Sequence, residues 1–296
     1  MIIRPEDFTI HEPDEKLLKI INEKEFKDRV LYEKESDFHT IKVVENEIGR
    51  FLHFKDTYQA GFINTAAYKG NLPYINYFTI PYLINKDIKS VLLIGFGTGR
   101  LVNDFEKLFD GLECVDVVDI EENIFEIAQD FFGYKKSEKV NFILQDGLVY
   151  LRGCKKKYDL IVVDVASDEG IDDRFLEDEY FSSVKFCLKK NGLFISNLCA
   201  SPDFEHPENK LFQRISKTYS KNFKYNLIFK GNTSDLVYYE AFFGVKERVI
   251  DITNVILISS MSKIGLSQTD SDARAKFDLI NIDIEPYIRD LSESTG

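Results

Sequence analysis

A short apolar segment that runs directly into three alternating glycines is the feature that most constrains the fold. Ser90–Ile94 is followed by Gly95, Gly97 and Gly99, and then by a helical pattern at Leu101–Leu108. Glycine lets the backbone turn sharply from strand to helix and lets a ligand approach the main chain closely. The pattern predicts a strand, a nucleotide-binding turn and a helix. A tight turn without a ligand is the alternative for a glycine triplet alone.

Apolar runs and helical patterns alternate along the middle of the chain. Such alternation is typical of a parallel sheet that is covered on both faces. We therefore expect an α/β fold with a Rossmann-like, methyltransferase-type doubly wound sheet. The strands are predicted at Ser90–Ile94, Cys114–Asp119, Val140–Leu144, Leu160–Asp164 and Leu193–Asn197, and the helices at Leu101–Leu108, Glu121–Phe132 and Glu177–Leu188.

The two ends of the chain carry weaker patterns. Short β-rich runs lie between residues 29 and 64, and turn-forming breaks separate them, so a small N-terminal antiparallel β-hairpin domain is expected. We assign residues 1–71 to the N-terminal segment with this sheet, and 72–296 to a nucleoside-binding catalytic domain with a C-terminal tail. Two more strands are predicted at Tyr225–Phe229 and Leu236–Val245. The tail from Arg248 onward is polar and mixed, with one helix near Asp270–Leu279.

Composition restricts the partners. The formal net charge of −12 argues against a nucleic-acid partner and mildly favours a cationic substrate. No apolar run approaches the ~18 residues needed to span a bilayer, and no signal peptide is evident, so a cytoplasmic protein without membrane contact is expected. The four cysteines lack C-x-x-C spacing, which favours buried free thiols, and no metal is expected.

Acidic residues stand at the ends of the next two strands. Asp119 is placed where a carboxylate accepts hydrogen bonds from both ribose hydroxyls. Asp146 lies at the same edge of the sheet, where methyltransferase-like folds bind the adenine amino group. The following residues, Ile120 and Gly147, are predicted to contact the nucleoside too. Helix capping is an alternative role for both aspartates, and it is compatible with nucleoside binding.

A dinucleotide is the rival ligand. The turn lacks the G-x-G-x-x-G spacing because Arg100 stands where the third glycine would be, and it lacks the Lys-Ser/Thr of a P-loop. A sulfonium nucleoside therefore fits this turn better than a dinucleotide.

Three further segments carry a resemblance to a known family. Leu31–Ile41 is similar to a hairpin motif "S-x-Y-Q-x-I", Phe54–Gln59 to "L-D-G-x-x-Q", and Lys157–Asp164 to "Y-D-x-I-I-x-D". With the glycine turn, these segments resemble the spermidine synthases, the polyamine aminopropyltransferases, from about residue 30 to residue 245. The resemblance implies transfer of an aminopropyl group from decarboxylated S-adenosylmethionine to a diamine or polyamine, with release of methylthioadenosine. It also suggests a homodimer.

The same resemblance implies roles for individual residues. His39 and Gln59 would lie over the thioether end of the nucleoside, Asp119 would hold the ribose and Asp146 the adenine. Asp164 would be the catalytic aspartate, because a carboxylate can attract the cationic amine and accept or relay its proton. A helix cap at the end of the strand is the alternative for Asp164.

The acceptor half of the site departs from the family pattern. Thr98 replaces the aspartate that would hold the aminopropyl ammonium, and Arg100 could instead pair with the carboxylate of intact S-adenosylmethionine. The second loop carboxylate, Asp168, stands one residue late, and Tyr74 is the nearest candidate for the tyrosine that contacts the amine. The acidic stretch 167–179 is either a gate for a polyamine or a solvated loop.

Two alternatives follow from these departures. One is an S-adenosylmethionine-dependent methyltransferase on the same scaffold. The other is a binding or sensor protein that keeps the nucleoside pocket without turnover.

Overall fold

The computed structural model describes residues 27–55, 57–64, 69–165, 172–200, 210–230, 253–265 and 271–278. A five-stranded antiparallel sheet comes first, and its strands are neighbours in chain order, as hairpins require. Its strands are β1 (Arg29–Glu35), β2 (Thr40–Asn46), β3 (Gly49–Phe54), β4 (Thr57–Asn64) and β5 (Lys69–Asn71). The predicted N-terminal antiparallel sheet is thereby confirmed.

A seven-stranded sheet forms the centre of the molecule. Its strands are β6 (Ser90–Ile94), β7 (Cys114–Asp119), β8 (Val140–Leu144), β9 (Tyr158–Val163), β10 (Leu188–Ala200), β11 (Tyr225–Lys230) and β12 (Thr253–Ser260). The order across the sheet is β11-β12-β10-β9-β6-β7-β8. β6 to β10 pair in parallel, whereas β12 runs antiparallel to both β10 and β11. The predicted doubly wound α/β sheet is confirmed.

Helices connect these strands. A 3-10 helix at Pro73–Thr79 and α1 (Pro81–Ile84) precede β6. The others are α2 (Arg100–Leu108), α3 (Ile124–Phe132), α4 (Gly147–Gly153), a 3-10 helix at Asp173–Leu176, α5 (Asp178–Cys187), α6 (Lys210–Asn222) and α7 (Ser271–Asp278). In the described ranges no helix is long and apolar enough to cross a membrane.

β12 corrects our expectation of a polar, mixed tail after residue 248. Val255, Ile256, Leu257 and Ile258 are fully buried between β10 and β11. Polar residues flank this short apolar run on both sides, and they are buried with internal hydrogen-bond partners. Because buried polar groups with hydrogen-bond partners are tolerated in a core strand, the sequence of such a strand resembles that of a solvated segment. The helix predicted near residues 270–279 is present as α7, and the strand predicted at Leu236–Val245 lies outside the described residues.

The N-terminal sheet is packed against the central domain. Ile41 and Leu52 of the first sheet belong to the same hydrophobic cluster as residues of β6, β7 and α2. Lys34 Nζ donates to Asn123 Oδ1 at 2.6 Å, and Arg50 Nη1 donates to the Phe131 carbonyl oxygen at 2.7 Å. These contacts join β1 and β3 of the first sheet to α3, the helix that follows β7. The domain boundary at residue 71 stays a prediction.

Candidate active site

The glycine turn is built as the sequence predicts. Gly95, Gly97 and Gly99 have φ angles of +91°, +54° and +72°, a region that side-chain-bearing residues rarely adopt. A Cβ atom on Gly95 would lie 2.1 Å from the main-chain oxygen of Asp164, and one on Gly97 would touch Ala60 of β4 at 3.6 Å. The turn therefore lies between the end of β9 and the N-terminal sheet.

Asp119 connects the end of β7 to this turn. Its Oδ2 accepts the Phe96 N–H at 2.7 Å, and its Oδ1 accepts the Glu121 N–H at 2.9 Å. Burial raises the pKa of Asp119, and the two backbone N–H bonds oppose that rise. Each carboxylate oxygen can accept more than one hydrogen bond, so both can still bind a hydroxyl group. Capping of the chain after β7 and nucleoside binding are thus compatible at this residue.

Asp146 caps α4. Its Oδ1 accepts the Val149 N–H at 2.9 Å, and its second oxygen has no hydrogen-bond partner within the described ranges. A Cβ atom on Gly147 would lie 2.4 Å from Ile94 Cγ2, so α4 starts in close contact with β6. Asp146 therefore stands at the same edge of the sheet as the glycine turn.

Large apolar side chains remain exposed along this edge. Ile120 follows β7 and Leu144 ends β8. Val149 lies in the first turn of α4, and Val165 follows β9. Each of these four side chains is between 37% and 53% exposed. Apolar groups beside a few oriented polar groups are typical of a small-molecule site.

Asp164 follows β9 at the centre of the edge. Its N–H donates to the Ile94 carbonyl oxygen at 2.9 Å, which holds it beside the glycine turn. Its Oδ1 accepts an N–H from Asn197 Nδ2 at 3.0 Å. Burial raises the pKa of Asp164 to about 6, and the hydrogen bond from Asn197 limits the rise. A carboxylate with this pKa can both attract a cation and take up a proton near neutral pH.

Two asparagines extend this arrangement into the sheet. Asn197 of β10 also donates to Asn254 Oδ1 of β12 at 2.8 Å, and both side chains are buried. The sequence analysis placed Asn197 only at the end of the predicted strand Leu193–Asn197, and it did not identify Asn254. Asn197 could have been identified from the sequence, because it ends a predicted strand, as Asp164 does. Nothing in the local pattern points to Asn254.

His39 and Gln59, predicted over the sulfur, belong to the N-terminal sheet and its first hairpin, and Tyr74, predicted to contact the amine, lies in the 3-10 helix after that sheet. His39 stacks on Phe54 with ring centroids 4.6 Å apart. Gln59 is the unpaired residue of a β-bulge, because the β3–β4 register passes from Tyr58 to Ala60. The buried Tyr74 donates its hydroxyl to the Gln59 carbonyl oxygen at 3.3 Å, so this hydroxyl contacts the main chain.

Arg100 does not stand free beside the turn. Its Nε donates to Asp104 Oδ2 at 2.9 Å, and the Asp104 side chain is fully buried. A buried carboxylate needs such a partner, so Arg100 has a structural role in the first turns of α2. Thr98 is also buried, at 7% exposed.

Three acidic residues in the described part of the acidic loop have cationic partners. Arg174 contacts Asp172, Arg214 contacts Asp173 and Lys221 contacts Asp178, at 2.5 to 2.6 Å. These pairs favour the solvated-loop interpretation over an unpaired acidic gate. Asp168 lies outside the described residues. Among the residues that can be described, no group of three or more His, Cys, Asp or Glu side chains is arranged to hold a metal.

The strand order and the glycine turn define a methyltransferase-type Rossmann fold, and the acidic residues at the carboxyl ends of its strands form a candidate nucleoside site. The model of the spermine/spermidine synthase domain matches residues 77–230. The chain belongs to the spermine/spermidine synthase family, and it is a transferase.

Individual relatives agree with this assignment. A polyamine aminopropyltransferase of Clostridium botulinum is 24% identical over 244 residues, which cover 81% of this chain and 83% of the relative. One of Methanocaldococcus jannaschii is 29% identical over 171 residues, which cover 56% of each chain.

Solved structures show the same fold. The spermidine synthase of Thermotoga maritima superposes with a TM-score of 0.65 at 17% identity, covering 90% of this chain and 84% of that one. The human methyltransferase-like protein 13 in complex with SAH gives a TM-score of 0.50 at 20% identity, covering 74% and 92%.

Proposed function

We propose that this protein transfers an aminopropyl group from decarboxylated S-adenosylmethionine to a diamine or polyamine and releases methylthioadenosine. The observation that carries the proposal is the position of Asp164, a carboxyl with a pKa of about 6 that is held against the glycine turn. The name of the relatives, polyamine aminopropyltransferase, supports this reaction over other nucleoside chemistry.

The donor would bind along the edge of the sheet. Asp119 would accept the ribose hydroxyls, and Asp146 would use its unpaired oxygen for the adenine amino group. Ile120 and the other exposed apolar side chains of this edge would cover the faces of the purine. His39 and Gln59 of the N-terminal sheet would close over the sulfonium end.

The reaction is a displacement at carbon. The acceptor nitrogen attacks the aminopropyl carbon bonded to the sulfonium, a C–N bond forms, and the C–S bond breaks with its electron pair passing to sulfur. The neutral thioether methylthioadenosine leaves. Asp164 would attract the ammonium form of the acceptor and accept the proton that the nitrogen must lose. Alignment of the amine with the C–S bond would supply much of the rate.

The donor headgroup is the point at which the two enzyme hypotheses separate. The partnership of Arg100 with the buried Asp104 removes the main argument for intact S-adenosylmethionine, since this guanidinium already neutralises a carboxylate. Thr98 still leaves the aminopropyl ammonium without the aspartate that the family pattern supplies. The methyltransferase therefore remains the second candidate function, supported by Thr98.

Direct assay separates these functions. The protein is mixed with decarboxylated S-adenosylmethionine and a panel of diamines and polyamines, and methylthioadenosine release is measured by chromatography. We expect release with at least one amine, and loss of about 100-fold or more in Asp164→Asn. Parallel reactions with intact S-adenosylmethionine test methyl transfer. If the decarboxylated donor releases no methylthioadenosine with any of the amines, the proposal is contradicted.

Cellular location and assembly are part of the same proposal. We place the enzyme in the cytoplasm, acting on small amines and without a metal, as a homodimer. Sedimentation of the purified protein tests the dimer.

A further inference from the structure

The orientation of one buried amide decides what Asp164 contacts. Asn197 Nδ2 carries two N–H groups, of which one is donated to Asp164 Oδ1 at 3.0 Å and the other to Asn254 Oδ1 at 2.8 Å. The three residues stand on three adjacent strands, at the end of β9, in β10 and in β12. The arrangement is a continuous chain of hydrogen bonds that ends on the candidate base.

The carbonyl oxygen of the Asn197 amide accepts no hydrogen bond within the described ranges. This oxygen, Oδ1, is buried. The orientation of the amide therefore depends on the acceptors that face its nitrogen, and these are Asp164 and Asn254. If the amide turned over, its carbonyl oxygen would face the carboxylate, and only protonated Asp164 could then donate to it.

No charged side chain of the described residues is a cause of the pKa shift of Asp164. Within the described ranges, the elements against Asp164 contribute the backbone of Ile94 and Gly95 and the side chain of Asn197, none of which titrates. Burial and the Asn197 bond are the causes that act on its pKa, and burial is the larger. A change in the Asn197 amide is thus not masked by a nearby ion pair.

We propose that Asn254 is a positioning residue for Asp164, on the assumption that the proposed aminopropyl transfer is correct. Its carbonyl oxygen holds the Asn197 amide with an N–H on the carboxylate, and this keeps the candidate base ionised and oriented for the incoming amine. A residue of β12 thereby sets the chemistry of Asp164, which it does not touch.

The direct test is a carboxyl carbon NMR titration of Asp164, whose signal is identified by its loss in Asp164→Asn. Asn254→Leu removes the acceptor and keeps the branched shape of the side chain. We expect the pKa of Asp164 to rise by about one unit, since a hydrogen bond to a charged group is weakened. The acid limb of the methylthioadenosine release profile should move to higher pH by the same amount.

A double-mutant cycle separates positioning from general disruption. In an Asn197→Leu background, Asn254→Leu should leave the pKa of Asp164 unchanged, because the amide through which it acts is gone. An unchanged pKa in the single variant Asn254→Leu, or an equal rise in both backgrounds, overturns the inference. If Asn254→Leu does not fold, Asn254→Ser removes the same amide carbonyl with a smaller polar side chain and is titrated in its place.

Asn226 supplies the matched control. It is a buried asparagine of β11 that donates to the Phe223 carbonyl oxygen and accepts the hydroxyl of Ser259, at the opposite end of β12. Asn226→Leu should lower stability but leave the pKa of Asp164 unchanged, and an equal rise there contradicts the inference. Because the NMR readout needs no turnover, it tests the inference even if no amine proves to be a substrate.

Discussion

The main-chain oxygen of Asp164 lies 2.1 Å from the position that a Cβ atom would take on Gly95. The candidate base and the glycine turn are thus in contact through their backbones, without room for one methyl group. The N–H of Asp164 also donates to Ile94, the residue before that glycine. Any movement of the turn is therefore transmitted to the carboxylate.

Gly95→Ala should destabilise the protein by about 2–4 kcal/mol, because a methyl group would displace the Asp164 backbone and the positive φ is strained. Urea unfolding measures the loss. Gly153→Ala, at the end of α4 where a Cβ atom meets nothing within 4 Å, is the control and should be neutral or slightly stabilising. Equal effects of the two substitutions would show that the close contact at Gly95 does not matter.

Asp164→Asn should stabilise the fold at pH 8 by about 1–3 kcal/mol and have little effect at pH 4. The folded-state pKa of about 6 is above the ordinary value of 3.8, so the folded protein binds more protons than the unfolded chain between these values. The wild-type protein therefore loses stability as pH rises through this window, and the amide does not. Urea unfolding at both pH values measures the difference. A wild-type curve that is flat between pH 4 and 7 relative to the variant contradicts the assignment.

Asp119→Asn should weaken methylthioadenosine binding by about 10- to 100-fold, because it replaces a charged acceptor of hydroxyl groups. Titration calorimetry gives the affinity. Asp159 is a matched control, since its carboxylate also accepts backbone N–H groups, from Lys89 and Ser90, but at the amino ends of β6 and β9. Asp159→Asn should lower stability without changing the affinity, and a loss of binding there would contradict the proposed position of the ribose.

Thr98→Asp should increase the preference for decarboxylated over intact S-adenosylmethionine by about 10-fold, since the new carboxylate attracts an ammonium and repels a carboxylate. Calorimetry with the two donors measures the ratio. Thr98→Val has a similar volume without a charge and should leave the ratio nearly unchanged. An unchanged ratio in Thr98→Asp would mean that the donor headgroup lies away from this side chain.

The central sheet was predictable because its parallel strands are continuous apolar runs. Cys114–Asp119 and Val140–Leu144 are strands with the predicted bounds. The candidate site followed from topology, because residues at the carboxyl ends of parallel strands meet at one edge, as Asp119 and Asp164 do around the glycine turn. Their roles toward a ligand stay predictions.

Contacts between segments that are distant in the sequence could not be predicted. Asn254 reaches Asn197 across 57 positions, and no local period encodes such a pair. The partnership of Arg214 with Asp173 likewise depends on how α6 packs beside the loop. Asp172, Asp173 and Asp178, which the sequence offered as part of an acidic gate, therefore form ion pairs in the fold.

The place of β12 between β10 and β11 determines the order in which the sheet can be completed. β11 is synthesised first, yet within the described ranges its one pairing partner is β12, which itself pairs with β10. Until β12 pairs with it, β10 is an open edge of the kind that invites pairing with other chains. The strand that covers this edge also brings Asn254 to Asn197, so one strand both protects β10 from pairing with other chains and completes the surroundings of Asp164.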